Sequence, residues 1–327
     1  MKSLPVRRCA AACALAVAFA SPAYPWWSNE HRAIGEVAAA SLNDTAKEQV
    51  AKILGNDDLG AIATYMDDLR EAFFHAGPLG QDPEALQFNS YFPHNNTWHY
   101  IDLPLGTTAY TLDDPFGNPQ DVVHQIEAAV DVLEGKGDPR ISPKMALRMI
   151  VHFVGDLHQP LHAANGYYIV NPDHTVKLVT DPAQCKGLPN DKGGNSLHFG
   201  KGKNDELHAY WDSGGFGKVA GSDDPAKIAA VLAQTVAASG TAWKSPGDYH
   251  HWAEGWATES VVAARTAYDG IVFGKETPSN KDPAEIYRIE ITLPPGYDAA
   301  AVPLATTRMS QAAYHLAEIL NAIHWST

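Results

Sequence analysis

Cysteine is scarce in this 327-residue chain: there are three, and two of them, Cys9 and Cys13, fall within the first 25 residues. Cys185 is the only one left beyond that segment, which excludes an intrachain disulfide in residues 26–327. Long apolar runs are also missing. The longest, residues 9–20, falls short of the roughly 20 residues that a membrane-spanning helix needs. Positive charge is short as well, with 24 Lys and Arg against 38 Asp and Glu and a net charge of −14. Lys2, Arg7 and Arg8 belong to the first 25 residues, so the remainder carries −17. Such a balance argues against a broad basic face that grips nucleic acid or an anionic membrane. It leaves metal-dependent phosphate-ester hydrolysis open, because ligating carboxylates count as negative while the cations they hold go uncounted. Internal repeats and low-complexity linkers are absent too, and a single domain is the simplest organisation.

What is present describes a globular chain. Apolar residues make up 45% and charged residues 19%, which excludes wholesale disorder and collagen-like or coiled-coil architectures. The basic start, the apolar run and the small residues Ser21 and Ala23 predict a secretory signal peptide over residues 1–25, followed by one domain over 26–327. The expected location is therefore secreted or periplasmic, with no stable membrane association. Helical periodicity predicts helices over residues 31–42, 45–54, 59–74, 122–133, 143–157, 225–238, 248–268 and 302–324. Ser142 before Pro143 and Asp224 before Pro225 are the expected caps. Strand signals are few: a hairpin pairing 168–170 with 176–179 and a short strand at 289–293. Gly, Pro and Asn cluster at 76–96, 104–119 and 181–204, which read as loops.

The chemistry lies in histidines placed near carboxylates. His152 and Asp156 stand four residues apart in an otherwise apolar helical stretch, so both project from one face and need partners there. Pro160 ends that helix, and His162 follows within a turn. His208 and Asp212 repeat the four-residue spacing, His99 precedes Tyr-Ile-Asp, and Asp67 closes an apolar stretch. Zinc takes imidazole nitrogen and carboxylate oxygen in sites of about four ligands, and this set exceeds what one ion needs.

These motifs resemble the S1/P1 (class I) nucleases, whose fold is shared with zinc-dependent phospholipase C. The resemblance rests on Trp26-Trp-Ser-Asn-Glu-His31, Ala63-Thr-Tyr-Met-Asp67-Asp-Leu-Arg70, Trp98-His99-Tyr-Ile-Asp102, the run from His152 to His162, Gly193-Gly-Asn195, and Leu207-His208-Ala-Tyr-Trp-Asp212. It implies a mainly α single helical domain with small β-hairpin elements and three zinc ions. Asp67, His99, His152 and Asp156 would hold the first ion, and His162, His208 and Asp212 the second. The third would sit on His31, Asp156 and the α-amine and carbonyl of a terminal Trp26. That last ligand demands removal of the leader immediately before Trp26, whereas the small-residue rule favours cutting after Ala23. Either a direct cut after Pro25 or trimming of Tyr24-Pro25 would meet the demand.

The resemblance further implies hydrolysis of single-stranded RNA and DNA to products carrying 5′ phosphate, a 3′-nucleotidase activity alongside it, and no obligatory protein partner. Asp67, Arg70 and Asn195 are the candidates for catalysis, with Arg70 placed to neutralise charge on the phosphate. Tyr100, Asp102 and Asn195 are the candidates for substrate contact, Tyr100 stacking a base and Asp102 accepting from its edge. A zinc phospholipase C is the alternative on the same scaffold, and a non-catalytic zinc-binding protein is the alternative of another class. His158, His250, His251, His315 and His324 read as histidines outside the metal set, His158 on the surface. Glu30, where the family usually has glycine, is expected at the mouth of the cleft, and the hairpin as an insertion near the site.

Overall fold

A computed structural model describes residues 28–202, 204–215, 217–280 and 285–326. The signal-peptide segment and Trp26 lie outside these residues. The chain forms a mainly α single domain, and its helices follow the sequence signals closely. α1 (Ser28–Ala40) and α2 (Asp44–Leu54) open it, with Asn43 capping Ala46 N at 2.8 Å.

The single helix expected over 59–74 is two: α3 (Leu59–Ile62) and α4 (Tyr65–Ala72). The break has a local cause. The carbonyl of Ala63 accepts from His152 Nδ1 at 2.7 Å, while the Asp67 amide turns to Thr64 O at 3.1 Å instead of continuing the ladder. A second departure is α5 (Pro83–Tyr91), which falls within a segment read as loop. Asp82 caps it by accepting from Ala85 N at 2.9 Å with Pro83 in the first turn, a start signal masked by the surrounding Gly and Pro.

α6 (Val122–Leu133) and α7 (Pro143–His158) form the centre. Every residue of α7 from Met145 to His158 is buried, because α1, α4, α6 and the later helices Trp252–Tyr268 and Tyr297–Ala322 surround it. A helix enclosed on all sides has no solvent to which His152 and Asp156 can turn. Gln159 ends α7 and also caps α8 (Pro160–Ala163), its Oε1 accepting from Leu161 N at 2.5 Å. α9 (Pro182–Cys185) and α10 (Leu207–Asp212) are short, whereas α11 (Pro225–Ser239), α12 (Trp252–Tyr268) and α13 (Tyr297–Ala322) complete the helical body.

Strands are short and serve as braces. β1 (Leu103–Pro104) pairs in parallel with β2 (Ala164–Asn165), Leu103 opposite Ala164 and Pro104 opposite Asn165. β3 (Tyr167–Val170) and β4 (Val176–Val179) form the expected hairpin. β5 (Leu197–His198), β6 (Val272–Pro278) and β7 (Ile286–Thr292) make a three-stranded sheet in the order β5-β7-β6. Only part of β7 was expected. The hairpin is tied to this sheet through Glu276 N, which donates to His174 O at 2.9 Å.

Candidate metal centre

Five elements deliver the buried histidines and carboxylates to one place. α1 supplies His31, α4 Asp67, α7 His152 and Asp156, α8 His162, and α10 His208 and Asp212. His99 comes from the loop before β1, and the β1–β2 register holds that loop against α8. His99 and His162 lock each other through backbone: Ile101 N donates to His162 O at 2.8 Å, and the His162 ring is bonded through Nδ1 to His99 O at 2.8 Å.

The residues assemble as three overlapping groups: Asp67 with His99 and His152; His31 with His152 and Asp156; His162 with His208 and Asp212. Asp156 Oδ2 lies 2.9 Å from His99 Nδ1 and 3.2 Å from His152 Nε2, and its Oδ1 lies 3.2 Å from His31 Nε2. Asp67 Oδ1 stands 3.7 Å from His152 Nε2 and 4.0 Å from His99 Nδ1. In the remaining group Asp212 approaches His208 Nε2 at 3.4 Å and His162 Nε2 at 3.9 Å. Ligand atoms about 2.0–2.1 Å from a tetrahedral zinc are separated by about 3.3 Å, which these spacings bracket.

The second nitrogen of each of three rings is fixed by a backbone carbonyl: Ala63 O for His152 at 2.7 Å, His99 O for His162 at 2.8 Å and Gly193 O for His208 at 2.7 Å. A proton on Nδ1 leaves Nε2 as the lone-pair donor turned toward the carboxylates. Both oxygens of Asp67, His162 Nε2 and Asp212 Oδ2 are buried without a hydrogen-bond partner. Buried acceptors left in this state fit a cation, the partner that protein atoms do not provide.

Electrostatics carry the same message. Burial pushes Asp67 up to about 7 and Asp212 well above the usual carboxylate range. Burial pushes His99 and His162 down to about 3 and His208 to about 4, so all three rings are neutral, the form that ligates metal. For His152 burial pulls down, but Asp156 and Asp67 outweigh it and carry the ring to about 9. The same contact, together with His162 and His31, holds Asp156 well below its ordinary value against the pull of burial.

Above the cluster opens a cleft of about 540 Å³ whose lining includes Arg70, Tyr100, Asp102, Asn165, Asn195, His99, His162 and His208. Arg70 Nη2 stands 3.6 Å from Asp67 Oδ1, one turn further along α4. Asn195 is exposed, its amide donating to Lys192 O at 2.6 Å. Gly193 before it has a packing role. A Cβ on Gly193, whose φ is +63°, would fall 2.3 Å from Leu161 O, so glycine is what lets this loop press on α8 and offer its carbonyl to His208.

Several residues outside the expected set support the centre. Gln159 Nε2 donates to Asp212 Oδ1 at 2.7 Å and aims that carboxylate. Asp191, fully buried, accepts from Tyr168 OH at 2.8 Å, from Gly194 N at 3.0 Å and from Gly166 N at 3.1 Å, anchoring the glycine loop. Neither carries a periodicity or spacing signal; the Gln-Pro step after the central helix was the only hint for Gln159.

Two expectations fail. His158, read as a surface residue, is fully buried, bonded through Nδ1 to Val154 O at 2.8 Å and through Nε2 to His315 Nδ1 at 2.8 Å. Its position on an enclosed helix, away from the metal face, decides this. Glu30 is 2% exposed rather than at the cleft mouth, and burial pushes its carboxyl up to about 8. Two more histidine–carboxylate groups, Glu127–His251–Glu254 and Asp131–Glu134–His250, lie between α6 and the start of α12. Glu134 there is engaged by Lys136, Tyr249, His250 and the His324 amide, a clamp on the chain's last described turn.

Compared with known proteins, residues 26–324 match the family model described as S1/P1 Nuclease. No curated protein matches the chain.

Proposed function

The chain belongs to the S1/P1 nuclease family, and on that premise we propose an exported trinuclear zinc phosphodiesterase that hydrolyses single-stranded RNA and DNA to products with 5′ phosphate and also acts as a 3′-nucleotidase. The observation that carries this reading is the cluster of buried carboxylates and imidazoles, of which His99, His162 and His208 line an open cleft. Zinc, when bound, supplies Lewis acidity and brings the pKa of water down to about 7.

Asp67, His99, His152 and Asp156 would hold one ion, and His162, His208 and Asp212 another. His31 and Asp156 would share a third with the amine of Trp26. Arg70 sits at the lip of the cleft beside Asp67, where a guanidinium neutralises charge that grows on the equatorial phosphate oxygens. Tyr100 offers a ring to a base, and stacking of about 1–3 kcal/mol requires an unpaired base with its face free, which favours single strands. Asn195 keeps one amide hydrogen beyond its bond to Lys192 O and can direct it to the phosphate.

Zinc-loaded protein, assayed on a single-stranded oligonucleotide with analysis of product ends, should release 5′-phosphorylated fragments. Arg70→Ala should lower kcat by about a hundredfold or more with zinc content kept. Fragments with 3′ phosphate, or activity that survives complete chelation, would overturn the reading. Export and trimming to Trp26 are tested by sequencing the amino terminus of active exported protein; a stable Tyr24 terminus would defeat the third-ion ligand set.

A further inference from the structure

Among the described residues, Arg70 and Lys192 are the two lysine or arginine side chains that line the cleft, and they stand in different settings. Arg70 leans on Asp67 over the metal centre. Lys192 belongs to the glycine loop, and its Nζ lies 3.1 Å from Glu285 Oε2, on the residue just before β7. Glu285 lines the same cavity. Both side chains of the pair are about half exposed, at 53% and 50%. An ion pair this open to water contributes little to stability, so the fold does not depend on it and another anion can take the place of Glu285.

The root of Lys192 is fixed although its side chain is not. Its φ is +56°, in the left-handed region that a Cβ disfavours. Of the described non-glycine residues in that region, His75, His174 and Lys192, it is the one that lines the cleft. The loop ties it from both sides: Lys192 N donates to Asn190 Oδ1 at 3.0 Å, while Lys192 O accepts from Asn195 N at 3.3 Å and from Asn195 Nδ2 at 2.6 Å. Asp191, buried beside it, anchors the same stretch through Tyr168 and Gly194. A flexible amine on a rigid and locally strained root is suited to meeting a ligand group, not to holding the loop together.

A single strand carries one negative charge at every phosphate, and Arg70 with the metal centre faces the one being cut. We infer that Lys192 binds the substrate phosphate next to the scissile one, and that Glu285 occupies the amine until that phosphate replaces it. The inference rests on the nuclease reading above and names what the same cleft prefers: strands with more than one phosphate. An ammonium is a compact point charge with three rotatable donors, so its contact with a phosphate oxygen adds affinity without reading the base. Glu285 acts in the opposite direction, competing for the amine and repelling the incoming phosphate.

The test compares kcat/KM of the zinc-loaded enzyme on TpT, pTpT and TpTpT, the last corrected for its second scissile bond. A substrate with a second phosphate should exceed TpT by on the order of fivefold. A gain for pTpT sets the contact on the 5′ side of the cut, and a gain for TpTpT alone sets it on the 3′ side. Lys192→Met should bring this ratio back toward one and make the log–log salt dependence on TpTpT shallower by about 0.7–1. Lys192→Arg should keep both, and Glu285→Gln should raise the ratio. A purely structural role for Lys192 would lower all three substrates together in Lys192→Met and preserve their ratios, which would overturn the inference, as would a ratio of one in the unaltered enzyme. An unchanged ratio in Glu285→Gln overturns the part given to Glu285. Failure of the unaltered enzyme to cleave any of the three overturns the nuclease reading as well.

Discussion

A carboxyl such as Asp67, buried without a donor and pushed up to about 7, holds a proton near neutrality unless a cation replaces it. The sign follows directly. Below about 7 a metal must displace that proton, so affinity climbs as pH rises toward this value and falls as pH drops away from it. Asp212, raised further, and His152, raised to about 9, add to the displacement, whereas His99, His162 and His208 are already unprotonated and add nothing. Zinc titration by calorimetry at pH 6 in buffers of different ionisation enthalpy should therefore reveal release of about one to three protons per chain. A heat independent of buffer would contradict it. Gln159 acts at the same scale through the hydrogen bond that aims Asp212. Gln159→Leu should weaken binding of one zinc by about ten- to a hundredfold, read by competition with a chromogenic chelator. Helical spacing made the pairs His152–Asp156 and His208–Asp212 legible in the sequence, whereas His31, Asp67, His99 and His162 were assigned to the candidate set through the family resemblance. Gln159 and Asp191 were not legible, since their partners lie 53 and 23 residues away along the chain.

At the scale of elements, helix α7 decides the architecture. Its enclosure makes His152 and Asp156 interior groups, and its packing on α1 depends on Gly155. A Cβ there would stand 2.7 Å from His31 Nδ1. In a free helix Gly→Ala gains about 1 kcal/mol, so Gly155→Ala would ordinarily stabilise. Here it should displace His31 and lower zinc content by one equivalent, as measured by elemental analysis, without gaining thermal stability. A gain in stability with unchanged zinc would refute the close packing. The long helices were readable from periodicity and from Ser142-Pro143 and Asp224-Pro225. The split between α3 and α4 was hidden, because it answers a distant ring, His152, that takes the Ala63 carbonyl. β6 was hidden for a related reason: its pairing with β7 exists only once the sheet forms.

Across the whole molecule, no disulfide within residues 26–327 ties the helices together, and the candidate ligands come from α1, α4, α7, α8 and α10. Ions held there join segments from residue 31 to residue 212. Binding restricted to the folded state adds about 4 kcal/mol per ion when free zinc exceeds Kd a thousandfold, so chelation should lower Tm by many degrees and zinc should restore it. The formal charge balance of −14 is also recast, since three divalent ions would offset six of those charges.

Elemental analysis of protein prepared with Trp26 as its first residue, coupled to activity on single-stranded substrate during stepwise chelation, tests the central claim most directly. The account predicts three zinc equivalents per chain and loss of hydrolysis as they are withdrawn; fewer than two equivalents in active protein would contradict it.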